Sequence, residues 1–429
     1  MEFDIHLQGR WHPCASLALL DREGESRAGR VRLRYEADYA VEHLGAADFR
    51  ALTVRAPVDL GTRDLQHWPS FLIDLLPQGA ARKRIERIQS GVLTDWSLLG
   101  LGAVNPVGNL RVRPREPRLP SRHPGFQLQE MIARGDSFVE HAHESGATVA
   151  GATDTQGEAP KFWVVEDEHG RWHPDSGALD FAVQRYMLLK FPVPEAGESA
   201  KQILEHEALY QRVAQRMGLR VTQQLPEYVD GALLIPRFDR RYMNGTEIRL
   251  GVESLYSITG VIDSATTVVR HHDVLIALAG CVSDFESDLR EYVRRDLLNI
   301  SLGNRDNHGR NMAVLKDIDG SQGLAPLYDL GPSFLDARSI VRVIRWDGEA
   351  PDRRDWNNIV ANAAVRLEEA GAKFEGWPSL VNWMRGFAEK LDGLPKVMRD
   401  CGVASRIIQN RQEEIARLVR ELRELREMD

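Results

Sequence analysis

The sequence predicts an α+β fold built as a two-lobed body, with an N-terminal α/β subdomain and a mostly helical C-terminal lobe. Three observations predict it. The first 110 or so residues carry runs that alternate apolar and polar positions. From about Gln127 to Pro236, short apolar runs surround one long amphipathic pattern. From about Phe238 onward, the apolar residues recur at helical spacing.

Residues 1–113 form the first module. DIHLQGRW and RVRLRYEADYA alternate as half-buried strands do, and DLQHWPSFLIDLLPQGAARKRIERIQ reads as helix with a break at Pro77 and Gly79. Residues 114–126, rich in proline and arginine, are a linker or an extended surface crossing. In residues 127–237, DSFVEHAHES is helical and GATVAGATDTQGEAPKF is a loop. FWVVEDEHGRWHP is a hairpin centred on EHG, RYMLLKFP and ALLIPRF are strands, and SAKQILEHEALYQRVAQRMGLRV is an amphipathic helix ending at Gly218. Residues 238–429 hold helices at HHDVLIALAGC, DFESDLREYVRRDLLNISLG, VRLEEAGAKF and SLVNWMRGFAEKLDGL. The tail RIIQNRQEEIARLVRELRELRE interleaves Glu and Arg, as a surface helix with i,i+4 ion pairs or a partner-binding helix would.

The 429 residues suffice for two or three domains, and the 43% apolar content is that of a globular protein. A net charge of −8 argues against bulk nucleic-acid binding. Cys14, Cys281 and Cys401 share no metal-ligand spacing and fit a reducing compartment. No apolar run approaches membrane-spanning length and MEFDIHLQGR lacks a signal-peptide pattern, so a cytoplasmic protein without membrane association is expected.

The chemistry concentrates in LLNISLGNRDNHGRNMAVLKDIDGSQGLAPLYDLGPS, residues 297–333. Asp306 and Asn311 stand five apart, and Asp329-Leu330-Gly331 begins 23 residues after Asp306. Phosphoryl transfer from ATP needs a carboxylate beside the acceptor hydroxyl, and an amide and a carboxylate oxygen for Mg²⁺. A packed helix precedes the motif, Gly303 ends it, NRDNHGRN forms a loop, and MAVL and LAPLY flank a hairpin turn. That order is the one used by protein kinases, which makes the expected fold protein-kinase-like. Either motif alone would be an ordinary polar turn.

Other residues fit the same chemistry. Lys190 ends a strand and could contact α/β-phosphates, or be a solvated edge lysine; Glu207 in the next helix could pair with it, with Glu205 as a competitor. The loop 151–161 is neither a Walker A loop nor GxGxxG, but Lys161 adds a cation beside it. LIPRFDRR follows a strand where an adenine would slot. His308 is expected to be structural, and the pair His271-His272 a surface feature at a helix start.

At these residues the chain resembles the HipA family of bacterial serine/threonine kinases, the toxin halves of type II toxin–antitoxin pairs. GRWHP and FLIDLLPQG resemble its N-terminal subdomain, GEAPKF its phosphate loop, LLKFP its lysine strand and EHEALYQRVAQRMGL its helix. IPRFDRR resembles its hinge, and GNRDNHGRN and LYDLG its catalytic and metal loops. The resemblance implies Asp306 as base and Asn311 and Asp329 as Mg²⁺ ligands. It implies an ATP site of Gly157, Glu158, Ala159, Pro160, Lys161, Lys190, Pro236, Arg237, Phe238, His308, Asn311, Tyr328 and Asp329, supported by Glu207. Pro236 stands where the family hinge has a glutamate, and Thr153, Thr155 and Ser145 are the candidate autophosphorylated hydroxyls. The implied partners are a translation component, often an aminoacyl-tRNA synthetase, and a helix-turn-helix antitoxin that binds DNA, so that DNA is met only indirectly. Two alternatives use the same loops: a small-molecule or lipid kinase, and a non-catalytic ATP-binding module bridging antitoxin and DNA, with ARKRIER as the basic stretch.

Overall fold

A computed structural model describes residues 1–21, 25–88, 93–114, 123–145, 147, 159–177, 179–193, 197–263, 267–349 and 354–427. The chain divides into two units. The first comprises Met1–Gly197, Pro226–Asp263 and Leu315–Ser321; the second comprises Glu198–Leu225, Ser264–Val314 and Gln322–Asp429. The expected α+β class holds, with large sheets in the first unit and long helices in the second.

The first unit contains two five-stranded antiparallel sheets. One runs in the order Thr62–Leu65, Val31–Tyr35, Arg10–Leu19, Glu2–Leu7, Leu110–Val112. Its alternation is the one the sequence shows: Val31, Leu33 and Tyr35 are buried while Arg32 and Arg34 are exposed. Phe3, Ile5, Leu17, Trp68, Phe71 and Leu72 fill the core beneath. The helix expected from Asp64 onward is corrected here. Asp64 and Leu65 end a strand, because Val31 pairs with Leu65 and Arg32 grips the Asp64 carboxylate at 2.7 and 2.8 Å. Helix appears only at Leu72–Leu75 and Gly79–Ile88.

The second sheet runs Trp172–Pro174, Lys161–Asp167, Val183–Lys190, Ala232–Pro236, Glu227–Val229. Its hairpin at EHG closes because the Asp167 carboxylate accepts from the backbone N–H groups of His169 (2.9 Å) and Arg171 (2.8 Å). Phe138 and Phe162 stack over its core. Most of the predicted loop 146–162 and most of the predicted linker 114–126 fall outside the described residues.

Two buried ionic clusters brace this unit. The Arg237 guanidinium, 1% exposed, pairs with Asp175 (3.0 Å) and Asp239 (2.8 Å) and lies 4.0 Å from the Trp163 ring centroid. Asp239 also accepts from Arg240 (2.7 Å) and from the Gly108 N–H (2.8 Å). Burial alone would raise this carboxyl; Arg237 and Arg240 reverse that and hold it well below the usual carboxylate range. In the other cluster, Glu253 accepts from Thr53, from the Val54 N–H (3.0 Å), from Ser257 (2.8 Å) and from Lys316 (2.9 Å).

The second unit is organised around the helix Phe285–Leu302. Asp284 caps its start by accepting from the Ser287 N–H at 3.0 Å, and Gly303 ends it at φ 73°. From the last helix, Ser405–Arg423, Arg411 donates to the last-turn carbonyls of Ile300 (2.8 Å) and Ser301 (3.1 Å). The helix Trp356–Glu369 begins nine residues before the predicted VRLEE pattern, N-capped by Asp355. His271 is a second correction. It does start the helix His271–Ala279, but it is 1% exposed, bonded to the Tyr292 hydroxyl at 2.7 Å and stacked on Trp346 at 4.3 Å. Asp296 sits 3.6 Å away, itself held by Arg342 (3.0 Å) and the Trp346 indole (2.9 Å). Among the described residues no helix is long and apolar enough to cross a membrane.

Two outcomes follow from these clusters. Asp239→Ala removes the carboxylate shared by two buried arginines, leaving Arg237 only Asp175, and should lower the stability of the first unit by about 3–5 kcal/mol in urea unfolding. Burial pushes the His271 imidazole down to about 4, with Asp296 opposing and Arg342 and His272 assisting. The unfolded chain takes up this proton near pH 6.5 and the folded chain only near pH 4, so stability is full above that window and falls as pH drops through it. The loss at pH 5 relative to pH 7.5 should be about 2 kcal/mol, and His271→Gln should flatten that limb.

Candidate active site

The loop that follows Gly303 is built from side-chain bonds to its own backbone. Gly303 must stay glycine, since an added Cβ would stand 2.7 Å from Phe334 Cδ1. Asn304 donates to Asn299 Oδ1 at 2.9 Å. The Ser333 hydroxyl accepts from the N–H groups of Arg305 (2.7 Å) and Asp306 (3.2 Å) and donates to Asn304 Oδ1 (3.2 Å). Asn311 Nδ2 donates to the Asp306 carbonyl at 2.9 Å. The backbone of Asp306 is thus bonded at both its N–H and its C=O, while its carboxylate is 36% exposed. His308 Nε2 lies 3.5 Å from Asp306 Oδ1, and His308 Nδ1 accepts from the Arg310 N–H at 3.3 Å.

The second loop is clasped to the first at both ends. Tyr328 donates to the Arg310 carbonyl at 2.7 Å, one residue before Asp329 on one side and one before Asn311 on the other. Ser333 closes the far end. Asp329 takes φ 54°, a left-handed conformation that side chains other than glycine enter at a cost and that Asp tolerates better than most. The chain reaches it from a fixed approach: the Leu327 N–H donates to the Arg220 carbonyl (2.7 Å), and Arg295 donates to the Ala325 carbonyl (2.6 Å). Glu207, buried on the helix Gly197–Arg216, packs near Gly331, where an added Cβ would lie 3.8 Å from Glu207 Cβ; Glu205 is exposed.

These residues suit a magnesium ion. With Asn311 Nδ2 committed to Asp306, its Oδ1 is the atom left for a cation, and Asp329 adds a carboxylate: both are hard oxygen donors. No group of three or more His, Cys, Asp or Glu able to hold a metal occurs among the described residues. Such a sparse set is what Mg²⁺ takes when substrate phosphates complete its shell.

In the first unit, Lys161 and Lys190 are register partners across the antiparallel strands Lys161–Asp167 and Val183–Lys190. Directly opposed side chains share a sheet face, so the two lysines emerge on the same side of this sheet. The Phe191 N–H donates to the Pro160 carbonyl at 2.8 Å and extends the pairing toward Ala159. Gly157, Glu158, Thr153 and Thr155 lie outside the described residues, and Ser145 is exposed at the end of the helix Phe138–Glu144. At the predicted hinge, Pro236 faces Met187, the Arg237 N–H is bound to the Tyr186 carbonyl (2.9 Å) and the half-buried Phe238 follows. The Arg237 side chain is engaged in the ionic cluster. Of the basic stretch ARKRIER, Arg82 is paired with Glu86 and Asp95 and Arg84 with Asp136.

Sequence reasoning missed Asn304, Asn307 and Ser333. Asn307 donates to the Ile344 carbonyl (2.7 Å) and accepts from the Val343 N–H (2.9 Å), contacts 36–37 residues away that no local pattern signals.

Residues 153–377 match the model of the HipA-like C-terminal domain. A stretch of 133 residues is 29% identical to a putative kinase, Y4mE, of Sinorhizobium fredii, covering 29% of this chain and 31% of that protein. The chain therefore matches under a third of the length of this curated relative. Over 99% of its length it shares a fold, at TM-score 0.66 and 17% identity, with the whole HipA chain of Shewanella oneidensis MR-1, solved with HipB and operator DNA.

Ser333→Ala leaves the Arg305 N–H without its acceptor and the Asp306 N–H with only Asn304 Oδ1, at 3.3 Å. It should cost about 1–3 kcal/mol in thermal unfolding, and Ser333→Thr should recover most of it.

Proposed function

The chain belongs to the family of the HipA-like C-terminal domain, and from that premise we propose that it is an ATP- and Mg²⁺-dependent kinase of protein serine or threonine hydroxyls. The observation that carries the proposal is the double clasp, Tyr328 to Arg310 and Ser333 to Arg305 and Asp306, which gathers a carboxylate, an amide oxygen and a second carboxylate on two joined loops. Asp306 is the base for the acceptor hydroxyl, and Asn311 and Asp329 hold the metal. Bound magnesium supplies positive charge against the β- and γ-phosphate oxygens. Lys161 and Lys190 contact phosphates, with Gly157, Glu158, Ala159 and Pro160 lining the loop beside them. Pro236 to Phe238 meet the adenine, His308 and Tyr328 complete the ATP site, and Glu207 supports it.

The division into residues 1–113, 127–237 and 238–429 around a linker at 114–126 belongs to the same proposal. So does the biology: a cytoplasmic, growth-inhibiting toxin that phosphorylates a translation component and is held by a helix-turn-helix antitoxin. The solved HipA of similar fold, bound to HipB and operator DNA, supports the antitoxin.

Asp306→Asn should reduce transfer from γ-labelled ATP to protein by about 10²–10⁴-fold, and Asp329→Ala should abolish it, with circular dichroism unchanged in both. Full activity in both variants refutes the assignment. Label found only on small molecules of a cell lysate, never on protein, refutes the acceptor class.

A further inference from the structure

Asn307 has no part in the chemistry assigned above, yet it is joined by one peptide bond to the proposed base. It is 3% exposed, and its amide is used at both ends, donating to the Ile344 carbonyl at 2.7 Å and accepting from the Val343 N–H at 2.9 Å. An asparagine side chain here does what a neighbouring strand would do for those two backbone groups. The segment it grips is itself anchored on its other side. Arg342 and Trp346 both donate to the buried Asp296, and the His271 N–H donates to the Arg345 carbonyl at 3.1 Å. Asn307 therefore ties the catalytic loop to a backbone that is fixed to two helices.

We propose that Asn307 is a positioning residue which holds the Asp306 carboxylate at the one place where an acceptor hydroxyl on a bound protein can use it, and so favours transfer to protein over transfer to water. The inference rests on the kinase reading. Its physical basis is the anchoring of the Asp306 backbone, which sets where the 36% exposed carboxylate stands. Ser333 fixes the N–H of that residue, Asn311 its carbonyl, and Asn307 the residue that follows. Transfer to either acceptor forms a bond from the acceptor oxygen to the γ-phosphorus and breaks the bond from that phosphorus to the β,γ-bridging oxygen. ADP leaves with the electron pair, and the acceptor proton passes to Asp306. Water can approach a displaced carboxylate from any side. A serine or threonine held on a polypeptide cannot, and a displacement of about 1 Å is enough to cost it about 10²-fold.

The test measures, for the full chain with γ-labelled ATP and Mg²⁺, the ratio of label retained on protein, the chain's own hydroxyls included, to label released as inorganic phosphate. A ratio does not change when a variant merely lowers the folded fraction. Asn307→Ala loses both bonds, and the isosteric Asn307→Asp keeps only the acceptor. The expected result is a fall of at least about tenfold for Ala and a smaller fall for Asp. An unchanged ratio in both variants, with Asp306→Asn inactive, overturns the role of Asn307 and leaves the kinase reading standing. A wild-type chain that delivers label to neither acceptor, or an Asp306→Asn chain that keeps full transfer, overturns the kinase reading itself.

Discussion

The structure of the second unit turns on one constraint: the short loop that carries the Asp306 carboxylate must have its backbone groups satisfied. Ser333 meets that constraint with a single hydroxyl. Its oxygen takes the N–H groups of Arg305 and Asp306, and its proton is directed to Asn304. Backbone donors in a tight loop have no ladder to enter, so a side chain from elsewhere must satisfy them. Because Ser333 lies four residues beyond Asp329, the same bonds that fix the Asp306 backbone also tie the two loops together. Arg411 serves the preceding helix in a parallel way, accepting the task of its last carbonyls and resting against the Phe334 ring at 5.5 Å. The left-handed Asp329 persists because Tyr328 on one side and Gly331 against Glu207 on the other leave it little alternative.

What could be read in the sequence was what local rules govern. The helix Phe285–Leu302 with its glycine stop, the strand Val183–Lys190 and the hairpin at EHG each carry their period and their turn residues within a few positions. Asp306, Asn311 and Asp329 stood out because their spacing is short and chemically interpretable. The strand Thr62–Leu65 did not, since its identity comes from pairing with Val31–Tyr35 about 30 residues earlier, against a local pattern that favours helix. His271 was misplaced for the same reason: its burial is decided by Tyr292, Asp296 and Trp346, and a histidine at a helix start carries no mark of them. Ser333 and Asn307 are invisible as sequence because each acts through backbone groups 27 to 37 residues distant.

The buried charges share a design. Asp239, Asp296 and Glu253 are each surrounded by donors from several segments, which is what a carboxylate needs if it is to remain ionised without water. The arrangement brings together residues far apart in the chain, and the units themselves are interleaved, each assembled from three separate stretches.

This interleaving bears on how the protein is made. Lys316 lies 63 residues beyond Glu253 and is the cation that neutralises it. A nascent chain emerging from the ribosome therefore carries Glu253 without its lysine until the hairpin after the Asp306 loop has left the exit tunnel. The N-terminal sheets can form early, but their junction with residues 251–257 closes only after Lys316 has emerged, so the Asp306 loop is already outside when the first unit locks.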